Sequence, residues 1–237
     1  MGYKFDPNIQ AVKGSVVHKA IELLARQKIA KQNGNPSFIE PESQKEYKID
    51  ELTHETALFD AIQIYIEPLK RLDFSSSDEV DCLTWFNKAI TEYADYSPIN
   101  RKMYSVEEYF DIEFPQEWAS YKFQTPQGEI NGQLAIRGTM DLLFENDPTT
   151  LEYVDLKTGR RNCWITGKRK DLEYLQDDIQ LLLYYYALRK KYPNKYIIMS
   201  ILYIKDGGPF TTYFDDNSLI KLENRIEELF NKIKKQK

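Results

Sequence analysis

Asp141, Asp155 and Lys157 have the types and spacing to do chemistry together. The stretches 134–144 (LAIRGTMDLLF) and 151–157 (LEYVDLK) have the apolar and β-branched content of strands, and ENDPTT between them is a turn signal. With the turn centred on Pro148, Asp141 falls opposite Asp155. Cross-strand neighbours on one face have Cβ atoms roughly 5 Å apart. Alternation along the strand puts Lys157 on the face of Asp155 and turns Leu156 towards the core. Two facing carboxylates repel unless a cation lies between them, and a hard divalent ion such as Mg²⁺ suits oxygen donors. Such an ion polarises a phosphoryl oxygen and lowers the pKa of its water. A neighbouring ammonium orients or deprotonates that water, or stabilises charge developing on phosphorus. Read alone, the three residues equally describe an ordinary hairpin with a cross-strand ion pair, because D-x-K is a very short pattern.

The flanking elements must position this hairpin. A first helix is predicted over 11–31, with Val17, Ile21, Leu24 and Lys28 on one face, Ala20, Leu23 and Ile29 nearby, and Gly34 and Pro36 ending it. Residues 35–52 read as a polar loop. Helices follow near 53–71 and 77–95, the second opened by a capping box from Ser76 to Glu79 and closed by Pro98. Strand patterns cover 104–114 and 119–125, and PQGEING (126–132) reads as a turn. Beyond the hairpin come a helix over 177–193 capped by Asp177 or Asp178, a buried strand over 195–205, a short strand over 209–214 and a closing helix over 216–236. That last helix should bury Leu219, Leu222, Ile226, Leu229 and Ile233 on one face. The unit 151–205 is expected to be a right-handed crossover. The fold class is therefore α/β, a central mixed sheet flanked by helices with an N-terminal helical segment. A single domain is expected, with a helical region over residues 1–100, a sheet core over 101–215 and a C-terminal helix over 216–237.

The chain has 237 residues, 42% of them hydrophobic, enough for a well-buried core. Its 17 Tyr and 12 Phe exclude a disordered composition. No apolar run approaches the roughly 20 residues of a membrane span, so no membrane association is expected. The first residues lack a charged-then-apolar leader pattern, so a cytoplasmic setting is the expectation, in a bacterium or for a viral protein in its host cell. Two cysteines, Cys82 and Cys163, make neither a disulfide framework nor a zinc site. A net charge of −5 excludes a global basic field for nucleic acid. Locally, 157–170 holds Lys157, Arg160, Arg161, Lys168, Arg169 and Lys170 without one acid, directly after the reactive hairpin.

Longer motifs add to these residues. GTMD (138–141), then 13 residues, then DLKTGR (155–160) resembles the "G-x-x-D … (D/E)-x-K-T-G" core of the PD-(D/E)-x-K nucleases, in particular their RecB-type branch, which is AddB-like and phage-exonuclease-like. GSVVHKAIE (14–22) is similar to that branch's "G-x-x-x-H-x-x-x-E" first helix, and QLLLYYYAL (180–188) to its "Q-x-x-x-Y" helix. All stand in the family's order. The resemblance implies a restriction-endonuclease-like core and an Mg²⁺- or Mn²⁺-dependent deoxyribonuclease. It implies Asp141 and Asp155 as carboxylate ligands, His18 and the Leu156 carbonyl as further ligands, and Lys157 as the catalytic lysine. Gln180 and Tyr184 would position phosphate or the lysine. Glu22, one turn from His18, would orient the imidazole or be solvated, and Glu107 matches the family's first-strand acid only loosely. The implied substrate is DNA, single-stranded or with free ends. Arg160, Arg161, Lys168, Arg169 and Lys170 would contact phosphates, and Trp164 would do so or stack on a base. The implied setting is exonucleolytic work in recombination, repair or replication, with a helicase or recombination complex as partner. The alternatives are a structure-specific endonuclease and a catalytically silent DNA-binding subunit. Some relatives carry a four-cysteine iron–sulfur cluster; two cysteines cannot supply one, so no cluster is expected. No Walker-type loop is present, so the chain is not itself a helicase motor.

Overall fold

A computed structural model describes residues 8–67, 73–163 and 166–235. The first helix, α1 (Ile9–Gln32), starts at Asn8, whose side chain accepts from the N–H of Gln10. The loop expected after it holds a small hairpin, β1 (Ser37–Ile39) and β2 (Glu46–Lys48). Then come α2 (His54–Ile66) and α3 (Ser76–Thr91). The expected 53–71 helix therefore stops at Ile66, and 68–72 lie outside the described residues. The capping box of α3 lies one residue earlier than expected, on Ser75 and Asp78. Three consecutive serines offer three caps, and the choice falls where Asp78 both reaches back to the Ser75 N–H at 3.0 Å and meets the Lys13 ammonium of α1 at 2.9 Å.

The sheet begins with β3 (Met103–Glu113). A hairpin of β4 (Ser120–Thr125) and β5 (Gly128–Gln133) follows, so the expected turn over PQGEING shrinks to Pro126 and Gln127. Glycine and asparagine in GEING look like turn residues, yet they pair strand to strand with β4 through Asn131 and Gly132. Next are β6 (Ala135–Asp147), β7 (Thr150–Lys157), α4 (Leu172–Gln176), α5 (Ile179–Lys191), β8 (Tyr196–Tyr203), β9 (Gly208–Thr212) and α6 (Asp216–Lys235). The expected 177–193 helix is α5, with Asp178 capping it through the N–H groups of Gln180 and Leu181, and the short α4 before it was not expected.

Strand order is β3-β6-β7-β8-β9, antiparallel except for the parallel pair β7–β8, so the sheet is mixed as expected. Each face carries its own core. Val16, Val17, Ala20, Leu23 and Leu24 of α1 pack with Ala57, Phe86 and the sheet residues Val106, Leu142, Val154 and Leu156. On the other face Leu181, Tyr185 and Leu188 of α5 and Leu222 and Ile226 of α6 cover Met140, Leu143, Tyr153, Met199 and Ile201. Each fully buried Val, Leu, Ile, Phe or Met among them is worth about 1.5–3 kcal/mol over leaving it in water. The helix α6 is rolled relative to its expected face. Leu222, Ile226 and Phe230 are buried, whereas Leu229 and Ile233 face solvent. The cause is the β4–β5 hairpin, whose Tyr121 meets the Phe230 ring edge-on at 6.5 Å. No helix among the described residues is long and apolar enough to cross a membrane.

Candidate active site

The β6–β7 register pairs Leu142 with Val154, which places Asp141 and Asp155 beside one another at the next step. Regular pairing stops there because the Asp141 carboxylate takes over a backbone partner: Oδ2 accepts the N–H of Leu156 at 2.7 Å. Asp155 is buried, and its Oδ1 accepts from the Tyr153 hydroxyl at 3.1 Å. Its Oδ2 is buried without a hydrogen bond; its neighbour is the Lys157 ammonium, an ion-pair partner at 2.7 Å. Lys157 also donates to Oε1 of Gln180 at 3.1 Å, and Gln180 donates to the Tyr184 hydroxyl at 2.9 Å. From α1, His18 Nδ1 lies 3.7 Å from Asp141 Oδ2. The fold thus brings together Asp141, Asp155, Lys157, Gln180, Tyr184 and His18 from four elements.

Gly14 explains how α1 gets close enough. A Cβ there would lie 2.7 Å from Thr158 Oγ1, so the helix rests directly on the chain leaving β7. Glu22 does neither of the things expected of it. It is buried, and it ion-pairs with Lys19 and Arg26, each at 2.6 Å. The imidazole partner is Asp141.

Electrostatics divides the two aspartates. Burial pushes the Asp155 carboxyl up to about 6 against the pull of Lys157, with Asp141 adding to the rise. Asp141 is partly buried, which acts to raise it, yet His18 and the Leu156 N–H hold it below its ordinary value. Burial opposes charge on His18 and Lys157 as well, and their carboxylate neighbours outweigh it, so both stand above their ordinary values.

Two residues at the site carried little or no sequence signal. Tyr153 is simply an apolar-side strand residue in the pattern. Glu107 lies between Val106 and Glu108, which pair with Leu142 and Met140, so it comes opposite Asp141. Its φ of 48° is a left-handed conformation rare outside glycine. Burial, then Asp141 and Glu22, raise its carboxyl to about 7. The acids Glu107, Asp141 and Asp155 therefore form a row across three strands.

The basic segment is a narrow hairpin, closed by Cys163 N–H to Lys168 O at 2.8 Å and Lys170 N–H to Arg161 O at 2.9 Å. Arg161 stacks on Phe210 at 4.4 Å, Arg169 pairs with Asp206 at 3.1 Å, and Lys170 reaches Asp178 at 3.9 Å. Arg160 and Lys168 are exposed and have no ion-pair partner among the described residues. Trp164 lies outside the described residues.

The sequence matches the model of the PD-(D/E)XK nuclease superfamily over residues 2–236. The chain belongs to that superfamily. No individual curated protein matches it. The mixed sheet with helices on both faces is the restriction-endonuclease-like core of this nuclease superfamily. Members of the superfamily generally use divalent cations, and the donors here fit one. Among the described residues no three His, Cys, Asp or Glu side chains close into an all-protein cage. Mg²⁺ needs none, since it is commonly held by one or two carboxylates with water and phosphate completing the shell. Asp155, whose buried Oδ2 has no hydrogen bond and has the Lys157 ammonium beside it, and Asp141 make such a pair.

If Tyr153 keeps Asp155 aimed at that position, Tyr153→Phe should weaken Mn²⁺ binding about tenfold, the usual scale for losing a group that orients a ligand. Calorimetric titration of Mn²⁺ without DNA checks this. Unchanged affinity in the folded variant would leave the phenol a packing role only.

Proposed function

We propose that the protein is a divalent-cation-dependent deoxyribonuclease, of the RecB type, that removes nucleotides from DNA ends during recombination, repair or replication. One observation carries the reading: the Lys157 ammonium bridges Asp155 and Gln180 beside Asp141. The motif residues of three separate segments thus converge on one patch. Asp141 and Asp155, with His18 and the Leu156 carbonyl, would hold Mg²⁺ or Mn²⁺. That ion would supply Lewis-acid polarisation of the scissile phosphate and a more acidic water. Lys157, held charged by its carboxylate neighbours, places an N–H donor where charge develops on phosphorus or where the attacking water must be oriented. Gln180 limits the lysine's rotamers, and Tyr184 limits those of Gln180. Arg160 and Lys168 have charge to spend on backbone phosphates, whereas Arg161, Arg169 and Lys170 act on DNA while fixing the hairpin's shape.

The test is digestion of end-labelled linear and covalently closed circular DNA, single- and double-stranded, with Mg²⁺, Mn²⁺ or EDTA. Cation-dependent loss of linear DNA alone is the expected result. Cutting of circles would replace the exonuclease with an endonuclease, and DNA binding without cleavage under every cation would reject an enzyme.

A further inference from the structure

Beside the lysine–glutamine–tyrosine chain the surface opens into a slot of about 340 Å³ between β6 and α5. Its walls are Phe110, Ile136, Ile179, Leu183 and Tyr184. Gly138 lets the Phe110 wall close in: a Cβ there would lie 2.8 Å from the Phe110 ring, so that ring packs directly on bare backbone. Tyr184 is fixed at both ends. Its ring meets Phe110 edge-on at 5.7 Å and Tyr153 edge-on at 5.2 Å, and its hydroxyl accepts from Gln180. Gln180 lines the slot and also holds Lys157, so the slot and the reactive patch share a wall. Among the described residues the only charged one in the lining is Arg137, largely exposed and steadied by Asp111 at 2.8 Å from its Nε.

We infer that this slot receives the nucleobase next to the scissile phosphate. The inference rests on the nuclease reading and names the portion of the DNA that the site grips. Phosphates and sugars call for cations and hydrogen-bond donors, and this lining is aliphatic and aromatic. What such walls take up is a flat group with apolar faces, attached to a backbone that continues past Lys157; in DNA that group is a base. The volume lies at the lower end of the roughly 300–1,000 Å³ of small-ligand sites, which suits one base and not a stacked pair. Arg137 stands where the neighbouring phosphate leaves the slot. A base inside a duplex must first unpair and unstack, a cost of a few kcal/mol that a single-stranded or terminal base largely avoids. The site therefore selects strand ends and single-stranded DNA through its shape, independently of the basic hairpin.

The experiment uses the Lys157→Ala protein in Mg²⁺, which separates binding from turnover. Fluorescein-labelled single-stranded oligonucleotides carry one abasic nucleotide stepped along the strand. One position, at a fixed distance from an end, should lose about tenfold in affinity, the scale of one base–aromatic contact. A 2-aminopurine placed there should change its emission on binding. Leu183→Trp in the same background fills the slot and should abolish both effects. Equal affinity at every abasic position overturns the inference, as does no binding of the intact strand. A 2-aminopurine signal that is absent at every position, or that survives the tryptophan, also overturns it. The 2-aminopurine signal needs no slot variant, so a misfolded tryptophan protein does not stall the test. Cleavage by the unaltered protein is read separately. Cleavage without position dependence refutes the slot alone, and position dependence without cleavage refutes the nuclease alone.

Discussion

Lys157→Ala should slow phosphodiester cleavage about a thousandfold, within the ~10²–10⁴ range for losing a positioned proton-transfer or charge-stabilising group. Two losses add in the same direction. The ammonium that would meet charge on the phosphate disappears, and Asp155 Oδ2, already without a hydrogen bond, loses its ion-pair partner. Burial already lifts Asp155 to about 6, so the bare carboxyl rises further and surrenders its charge nearer neutrality. Lys157→Arg should recover little, because a planar guanidinium cannot take the place of a compact ammonium between Asp155 and Gln180. The check is single-turnover cleavage of labelled DNA with circular dichroism to confirm folding. A folded alanine variant that keeps a tenth of the rate would remove Lys157 from the reaction.

The second large effect falls on stability. Lys19 is buried on α1, with Glu22 at 2.6 Å, Glu40 at 3.0 Å and Glu42 at 3.4 Å. Lys19→Met removes the cation and leaves Glu22 and Glu40 buried, which should cost about 3–5 kcal/mol in urea unfolding. A cost below about 1 kcal/mol would give the cluster no more weight than a surface ion pair. The same cluster sets a pH window. Burial acts to raise the Glu40 carboxyl, but two donors on Ser43, the Glu42 N–H and Lys19 together hold it down at about 2, against an ordinary 4.5. A lowered folded value means the contribution is complete above 4.5 and is lost as pH falls through about 2. Glu40→Gln should therefore flatten the fall in stability across that interval.

What could be read beforehand follows from which forces are local. A proline-centred turn and strict alternation determine the Asp141–Asp155–Lys157 face, so the hairpin was legible. The cap of α5 was legible to within one residue, as Asp177 or Asp178, because a cap acts on its own next few residues. The burial face of α6 was not, since it depends on Tyr121, a residue that only tertiary packing brings to Phe230. Glu107 stayed obscure because its place opposite Asp141 needs the β3–β6 register together with a left-handed φ that no pattern encodes. The basic run showed six cations, but four of them, Lys157, Arg161, Arg169 and Lys170, have intramolecular partners in Asp155, Phe210, Asp206 and Asp178.

The seam between Gly14 and Thr158 has a consequence for biosynthesis. It joins positions separated by more than half of the chain, and Gln180 and Tyr184 are translated later still. The helix bearing His18 leaves the ribosome early and must wait for β7 and α5 before it meets Asp141. Contacts of such long range pay their loop-closure entropy before they gain anything, and they form late. A nascent or proteolytically shortened chain therefore carries the aspartates and the histidine without the geometry to use them. On the nuclease reading, competence to cut would come only with the finished architecture, once α1, β7 and α5 have met.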